Sequence, residues 1–132
     1  MRRMFELPED DRDYLDSIDN DWETIKEGDV RWLIIKSFAV PAGYNNSITD
    51  VALRIPDSYP DVQIDMAYFN PFLARSDGKT INQLSSLNID GKVWQQWSRH
   101  RPNPRDWQPG IDNIERHLFF VMTFLNGEFK KR

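Results

Sequence analysis

The sequence predicts an α+β domain with an N-terminal helix, a four-stranded antiparallel meander, a long irregular segment and a C-terminal amphipathic helix. Two observations lead to this prediction. Apolar and polar residues alternate in short runs in the first half of the chain, which is typical of strands with one buried face. Near the other end, apolar residues recur every three or four positions over about four turns, as on the buried face of a helix. A length of 132 residues suits one domain.

The first half of the chain divides into one helix and four strands. Pro8 and the acidic residues that follow it are typical of a helix start, so we predict a helix over about 8–19. Residues 41–47, Pro-Ala-Gly-Tyr-Asn-Asn-Ser, form a turn by composition. Runs rich in branched, aromatic or alternating apolar residues predict strands over 22–27, 30–40, 49–55 and 62–68.

The second half is less regular. Residues 70–110 show no lasting periodicity, so we predict mostly loop with short ordered pieces. A loop of this length in a compact domain is usually functional or disordered, and its tryptophans and basic residues favour function. The helical stripe runs from Ile111 to Leu125, and Gly127 is a natural helix stop. We therefore expect a core over about 7–126 and a frayed tail over 127–132.

Composition excludes several classes of protein. The chain has no cysteine, so disulfides, zinc ribbons and thiolate mechanisms are excluded. No apolar run approaches the roughly 18 residues of a membrane span, and no apolar stretch follows the charged N-terminus as in a signal peptide. We therefore expect a cytoplasmic protein with no membrane partner. Neither metal-ligand spacing nor a phosphate-binding glycine loop is present, so we expect no metal and no cofactor.

The charges are distributed unevenly along the chain. Residues 6–29 hold eleven acidic residues against two basic ones, and residues 92–107 hold four basic residues against one acidic residue. The two segments form either opposite charged patches or two solvated faces. Arginines interleaved with tryptophans also occur in proteins that bind single-stranded nucleic acid. A net charge of -4 argues against that function, so we expect no nucleic-acid partner. The four basic residues are Lys92, Arg99, Arg101 and Arg105.

Three short motifs, in this order of elements, resemble the ubiquitin-conjugating enzymes. Residues 55–60, Ile-Pro-Asp-Ser-Tyr-Pro, resemble the proline and Tyr-Pro signature between that family's third and fourth strands. Residues 107–111, Trp-Gln-Pro-Gly-Ile, resemble the Trp-x-Pro-x-hydrophobic start of the helix after the active site. Gly43 lies where the family often has a glycine-rich turn. Together with residues 97–100, Trp-Ser-Arg-His, these motifs are similar to the prokaryotic branch called family E, found beside ubiquitin-like proteins and activating enzymes in bacterial gene clusters.

This resemblance implies a UBC-like fold and a part in the conjugation of a ubiquitin-like protein. The family's catalytic cysteine lies shortly before the signature tryptophan, and here Ser98 stands nine residues before Trp107. Ser98 is therefore expected to accept the C-terminal glycine of the ubiquitin-like protein from an activating enzyme, as an oxygen ester. The family's His-Pro-Asn triplet is absent, and residues 69–71, Phe-Asn-Pro, fall where it would begin.

Serine needs a base to act as a nucleophile at neutral pH. His100 is two residues from Ser98, and in extended backbone such positions point to the same side, so we predict that the two form a catalytic pair. Alternatively, Ser98 is a polar loop residue and His100 a surface or partner-binding residue. Asn70, Asn82 and Asn88 are candidates for stabilising an oxyanion, although each is also a common turn residue.

The resemblance also implies surfaces for the ubiquitin-like protein and the activating enzyme. The acidic first helix is expected to dock the activating enzyme. The tryptophans before Ser98 form either a hydrophobic platform for a bound tail or anchors of the loop to the core. The rival hypothesis is a catalytically silent variant that binds its partners without a covalent step. The residues expected to contact partners are Asp10, Asp11, Asp13, Trp94, Trp97, Arg99 and Arg101.

Overall fold

The computed structural model describes residues 1–103 and 106–130, which form two helices and one antiparallel sheet. The strands lie in the order β1-β2-β3-β4-β6-β5. The α+β class is confirmed, and the sheet has six strands where the sequence predicts four. The elements are α1 (Glu9–Ser17), β1 (Trp22–Glu27), β2 (Val30–Ala39), β3 (Ile48–Arg54), β4 (Ala67–Asn70), β5 (Leu84–Ile89), β6 (Lys92–Trp97), α2 (Ile114–Gly127) and a 3-10 helix (Glu128–Lys130).

The first three strands lie where the sequence predicts them, but the fourth does not. We predicted a strand over 62–68, whereas β4 begins at Ala67. Met66 has a φ of 58° and its amide donates to the side chain of Asp65, so the backbone turns sharply just before the strand. The alternating apolar residues suggested a strand. Ile64 is indeed buried, but the segment that carries it is irregular.

A β-hairpin occupies part of the segment that we predicted to be loop. β5 and β6 pair in register and are joined by Asp90 and Gly91, whose φ values are 53° and 76°. Two positive φ values define a type I′ turn, which matches the twist of the flanking strands. An Asp-Gly pair between alternating residues is a strong hairpin signal. Sequence reasoning missed it because β5 is mostly exposed and its apolar residues do not alternate regularly with polar ones.

The sheet carries a core on each face. The two helices cover one face, which includes Leu33, Val51 and Trp97. On the other face the sheet curls over its own side chains. Arg2 bonds both Glu23 on β1, at 2.7 Å, and Asp90 in the β5–β6 turn, at 2.6 Å, so opposite ends of the sheet meet. The buried residues of this second core are Ile25, Trp32, Ile34, Ala52, Tyr68, Ile89 and Trp94.

The Tyr-Pro motif (residues 55–60) and the Trp-x-Pro motif (residues 107–111) lie side by side near the start of α2. The indole nitrogen of Trp107 donates to the carbonyl of Pro60 at 2.8 Å. The hydroxyl of Tyr59 donates to Asp11 Oδ2 at 2.6 Å, and the amide of Ile114 donates to Asp11 Oδ1 at 3.1 Å. One carboxylate on α1 thus joins the Tyr-Pro turn to the N-terminus of α2.

The predicted frayed tail is wrong for residues 128–130. They form a 3-10 helix in which Glu128 is buried, and Arg75 donates to its carbonyl at 2.7 Å. The ring of Phe129 packs against Gly43, where a Cβ atom would lie 2.5 Å from the ring and φ is 108°. Close approach and positive φ both require glycine there. Residues 131 and 132, like Arg105, lie outside the described residues.

We expect Trp107→Ala to lower the free energy of unfolding by about 3 to 5 kcal/mol, because it empties a buried aromatic site. Trp107→Phe keeps most of the ring and loses the bond to Pro60, so we expect a cost of about 1 to 2 kcal/mol. Urea unfolding followed by circular dichroism measures both. An unchanged midpoint for Trp107→Ala would show that Trp107 serves a binding surface instead.

Candidate functional site

Ser98 lies immediately after β6, on a tight turn. Its amide donates to the carbonyl of Gln83 at 3.0 Å, and the amide of Arg99 donates to the carbonyl of Trp97 at 3.0 Å. A bond from residue i+2 to residue i closes a three-residue turn centred on Ser98. The extended backbone that we predicted through Ser98 is therefore wrong, because β6 ends at Trp97.

The side chains of Ser98 and His100 make different contacts. The Oγ atom of Ser98 accepts from Gln96 Nε2 at 3.5 Å, and no hydrogen bond joins Ser98 to His100 among the described residues. His100 instead bonds Asp65 Oδ2 through Nδ1 at 2.8 Å, and its side chain is 61% exposed. Because a carboxylate only accepts, Nδ1 of His100 carries the hydrogen of this bond, and Nε2 is the other ring nitrogen.

Sequence reasoning missed Asp65. It comes from the irregular segment before β4, which was predicted to be a strand, so no local pattern marked it as a functional residue. The one available signal was its acidic character, which many surface residues of this chain share. Its pairing with His100 spans 35 residues and depends on the tertiary fold.

Two of the three candidate asparagines lie far from Ser98. Asn70 donates to the carbonyl of Val93 at 2.9 Å, and Asn88 pairs with Val93 across the hairpin. Val93 is near the start of β6 and Ser98 is beyond its end, which is about 16 Å away at the usual rise of a strand. Asn70 and Asn88 are therefore unsuitable as oxyanion donors to Ser98. Asn82 is exposed and precedes Gln83, so it is the asparagine that the backbone brings near Ser98.

Both tryptophans of β6 are buried, on opposite faces of the sheet. Trp97 packs between Phe69 and Phe124, with ring centroids 5.6 and 5.8 Å away. Trp94 lies in the second core, and its indole nitrogen donates to the carbonyl of Ile89 at 3.1 Å. Neither forms a surface platform. Both anchor β6 to a core, and the alternation of a strand explains why residues three apart face opposite ways.

The arginines near Ser98 pack against aromatic rings. Arg99 lies 4.9 Å from the centroid of Trp97 and bonds Glu128 at 3.2 Å. Arg101 lies 4.9 Å from the centroids of both Trp107 and Phe120, and burial lowers its pKa. Such contacts stabilise a buried guanidinium. These two arginines therefore hold the segment after Ser98 in place, and they do not form the basic patch that was one of the two alternatives from the sequence.

The acidic residues of α1 divide into two groups. Asp10 and Asp13 are exposed, while Asp11 is 3% exposed and bonds Tyr59 and Ile114. Burial raises the pKa of Asp11, and the bonds from Tyr59 and Ile114 oppose that rise. The prediction that Asp11 contacts a partner therefore fails, because its carboxylate is occupied inside the protein.

Comparison with known families decides what kind of protein this is. The model of prokaryotic E2 family E matches residues 7–128 of the chain. The chain belongs to this family. Searches of the curated proteins and of the solved structures find no match. The match confirms the prokaryotic E2-like family that the motifs predicted.

The family match covers all the residues described above as contacts of Ser98 and His100. It begins at Leu7, just before α1, and ends at Glu128, which bonds Arg99. No helix in the described residues is long and apolar enough to cross a membrane. Within residues 1–103 and 106–130, no group of three or more histidine, aspartate or glutamate side chains could hold a metal ion.

His117 lies in α2, and its ring bonds both Arg101 and Met66. Its Nε2 hydrogen bonds the carbonyl of Met66 at 2.8 Å, so Nδ1 accepts from Arg101 at 2.8 Å and the ring is neutral. Burial, with a smaller effect of the Arg101 charge, lowers the pKa of His117 from 6.5 to about 4, although the bond to Met66 opposes this. His117 is thus a structural residue that links α2 to the segment before β4.

We expect this histidine to make the protein less stable in acid. Between pH 6.5 and about 4 the unfolded chain binds a proton at His117 and the folded chain does not, so stability falls as pH falls. The loss at pH 4.5 should be about 2 to 3 kcal/mol relative to pH 7. His117→Gln keeps a donor and an acceptor without titrating. The free energy of unfolding of this variant should therefore fall by about 2 to 3 kcal/mol less than that of wild type between pH 7 and pH 4.5. Urea unfolding at both pH values measures the difference.

Two features make that comparison specific. Asp11, whose raised pKa acts in the opposite sense, is present in both proteins, so its effect cancels in the difference. Wild type and His117→Gln differ only at position 117, so titrating groups elsewhere in the chain contribute equally to both pH dependences. Equal pH dependence in wild type and His117→Gln would contradict the assignment of a neutral, buried ring.

Proposed function

We propose that this family E protein acts in a bacterial ubiquitin-like conjugation pathway and accepts the C-terminal acyl group of a ubiquitin-like protein on Ser98. The observation that carries the proposal is the Asp65–His100 pair, which lies two residues from Ser98 at the protein surface. A base whose ring is oriented by a carboxylate is the arrangement that activates serine nucleophiles in unrelated proteins.

The proposed step transfers the acyl group from an activating enzyme to Ser98. The Oγ atom attacks the carbonyl carbon of the tail, the new C–O bond forms, and the bond from that carbon to its leaving group breaks. His100 Nε2 takes the serine proton and returns it to the leaving group. Asp65 holds Nδ1 and stabilises the imidazolium that forms in between.

The present contact of Ser98 does not oppose this step strongly. Its bond from Gln96 is 3.5 Å long, at the outer limit for a hydrogen bond, so releasing Oγ costs little. Bonds between catalytic groups are often long before substrate binds and shorten in the complex. Of the three candidate asparagines, Asn82 is the one that the backbone brings near Ser98, and we assign it to the developing oxyanion.

The second candidate function is non-covalent binding of a ubiquitin-like protein or an activating enzyme. The observation that favours it is the absence of a hydrogen bond between Ser98 and His100 among the described residues, together with the remote position of Asn70 and Asn88. A scaffold of this family does not by itself fix the chemistry of its site.

A covalent adduct decides between the two candidates. With activating enzyme, ATP and ubiquitin-like protein, we expect an adduct that survives thiol reductant and is cleaved by hydroxide or hydroxylamine, as an oxygen ester is. Ser98→Ala should abolish it. Ser98→Cys should give an adduct that reductant removes, and His100→Ala should slow formation about 100-fold or more. Gel electrophoresis and intact mass spectrometry measure the products.

Exposed Ser47 supplies the matched control, since Ser47→Ala removes a surface hydroxyl outside this segment. It should form the adduct at the rate of wild type. Asp65→Asn should slow the reaction while leaving the melting temperature within about 2 °C. If wild type and Ser98→Ala form the same adduct, or neither forms one while the activating enzyme is loaded, Ser98 is not the acceptor. In the case without any adduct, the non-covalent binding function stands.

We also propose that the exposed acids of α1 guide docking of the activating enzyme. Charge reversal of Asp10 and Asp13 to lysine should lower the association rate several-fold at low salt, and about 0.5 M salt should remove the difference. Asp61→Lys, an exposed charge reversal elsewhere, is the control. Equal association rates at low salt for wild type and the α1 variant would contradict this docking surface.

A further inference from the structure

The two edges of the sheet differ in how they are covered. At the β1 edge, the amide of Thr24 donates to the carbonyl of Arg2 at 3.0 Å, and the amide of Met4 donates to the carbonyl of Thr24 at 2.9 Å. The N-terminal segment therefore pairs with that strand. At the other edge, within the part of the chain that the structure describes, β5 pairs with β6 alone, and residues 85–88 are all exposed. β5 is an open edge.

The register shows which main-chain groups of β5 are unused. The Ser98 amide donates to the Gln83 carbonyl, so Gln83 faces β6, and alternation makes residues 85, 87 and 89 face β6 as well. The two-residue turn after Ile89 leads to the same result, because the residues that flank such a turn, here Ile89 and Lys92, hydrogen-bond to each other. The N–H and C=O groups of Leu84, Ser86 and Asn88 therefore point away from the sheet. None of them has a hydrogen-bond partner among the described residues.

The side chains of β5 do not protect this edge. Proteins usually guard an open edge with lysine, proline, a bulge or a very short strand. β5 has six residues, Leu-Ser-Ser-Leu-Asn-Ile, with no charge, no proline and no break in register. Main-chain groups arranged in this way recognise an extended peptide, which adds as a further strand. The neutral side chains fit an uncharged segment.

The edge begins beside Ser98. Gln83, the residue before β5, is hydrogen-bonded to Ser98, and β5 runs away from that point toward Ile89. A peptide antiparallel to β5 would place its C-terminus at the Ser98 end. Its strand would lie two spacings from β6, about 10 Å, which about three extended residues can cross.

We propose that β5 binds the extended C-terminal tail of the ubiquitin-like protein as an added antiparallel strand that directs the last residues of the tail to Ser98. This inference rests on the proposed function for the identity of the ligand. The outward groups of Leu84, Ser86 and Asn88 bond the tail upstream of its last three residues, and those three residues cross the end of β5.

The probe is a fluorescein-labelled peptide of the last ten residues of the ubiquitin-like protein used in the adduct assay, with binding measured by anisotropy. Ser86→Pro removes the central outward N–H and leaves the β5–β6 bonds intact, because that N–H does not face β6. We expect it to weaken binding at least about tenfold. Ser86→Ala keeps the N–H and should bind within about twofold of wild type.

N-methylated peptides test the same contact without changing the protein. Two peptides are compared, one methylated at the odd-numbered amides and one at the even-numbered amides. In one of them methylation removes the donors that face β5, and in the other it removes the donors that face solvent. Methylation of the amides that face β5 should abolish binding. Methylation of the amides that face solvent should leave the affinity within about threefold of that of the unmethylated peptide. Equal loss for both sets, no binding by wild type up to 1 mM, or unchanged binding by folded Ser86→Pro would overturn the proposal.

Two further outcomes separate this proposal from its neighbours. Ser98→Ala should bind the peptide like wild type, so a missing adduct with normal edge-dependent binding refutes the covalent step and supports the edge site. A normal adduct with Ser86→Pro refutes the edge site and leaves Ser98 as acceptor. Light scattering that shows a dimer lost in Ser86→Pro would assign the edge to a second copy of the chain and overturn tail binding.

Discussion

The buried carboxylate of Asp11 joins three parts of the structure that the sequence keeps far apart. It accepts one hydrogen bond from Tyr59 in the Tyr-Pro turn and one from the first amide of α2 at Ile114. Burying a carboxylate is costly unless such bonds compensate for lost water, and each bond to a charged group contributes on the order of 1.5 to 3 kcal/mol. With the Trp107–Pro60 bond beside it, this contact holds the start of α2 against α1 and the Tyr-Pro turn.

The position of the candidate site follows from this constraint. The segment after Ser98 starts at the fixed end of β6 and must return to the N-terminus of α2, and Arg99 and Arg101 attach it to aromatic rings on the way. His100 remains exposed and bonds Asp65, while the neutral ring of buried His117 bonds the carbonyl of Met66, the residue after Asp65. Arg99 and Arg101 thus have structural contacts, and the exposed imidazole of His100 is held by a carboxylate. That division explains why the two described arginines of this segment form no basic surface although the sequence here is rich in arginine and tryptophan.

The sequence predicts the parts of this structure that depend on local periodicity and turn chemistry. α1, β1, β2 and β3 are placed well because their apolar residues alternate or repeat over whole elements. β4 was misplaced because the positive φ of Met66 leaves no pattern, and the hairpin was missed because β5 buries little. Partnerships such as Asp65 with His100, or Asp11 with Tyr59, join residues 35 and 48 positions apart. No local rule marks one acid among many for such a contact, so the family motifs suggest Ser98 as a candidate but give no information on the residues around it.

The most direct test of this account is a double-mutant cycle between Asp11 and Tyr59. Urea unfolding of Asp11→Ala, Tyr59→Phe and the double variant gives the coupling free energy of the two side chains. We predict a favourable coupling on the order of 1 to 2 kcal/mol, because each single variant leaves the other group buried without its partner. Asp13→Ala, an exposed acid on the same helix, should be additive with Tyr59→Phe. Additive effects for Asp11 and Tyr59 would contradict the claim that this carboxylate holds the Tyr-Pro turn to the helices.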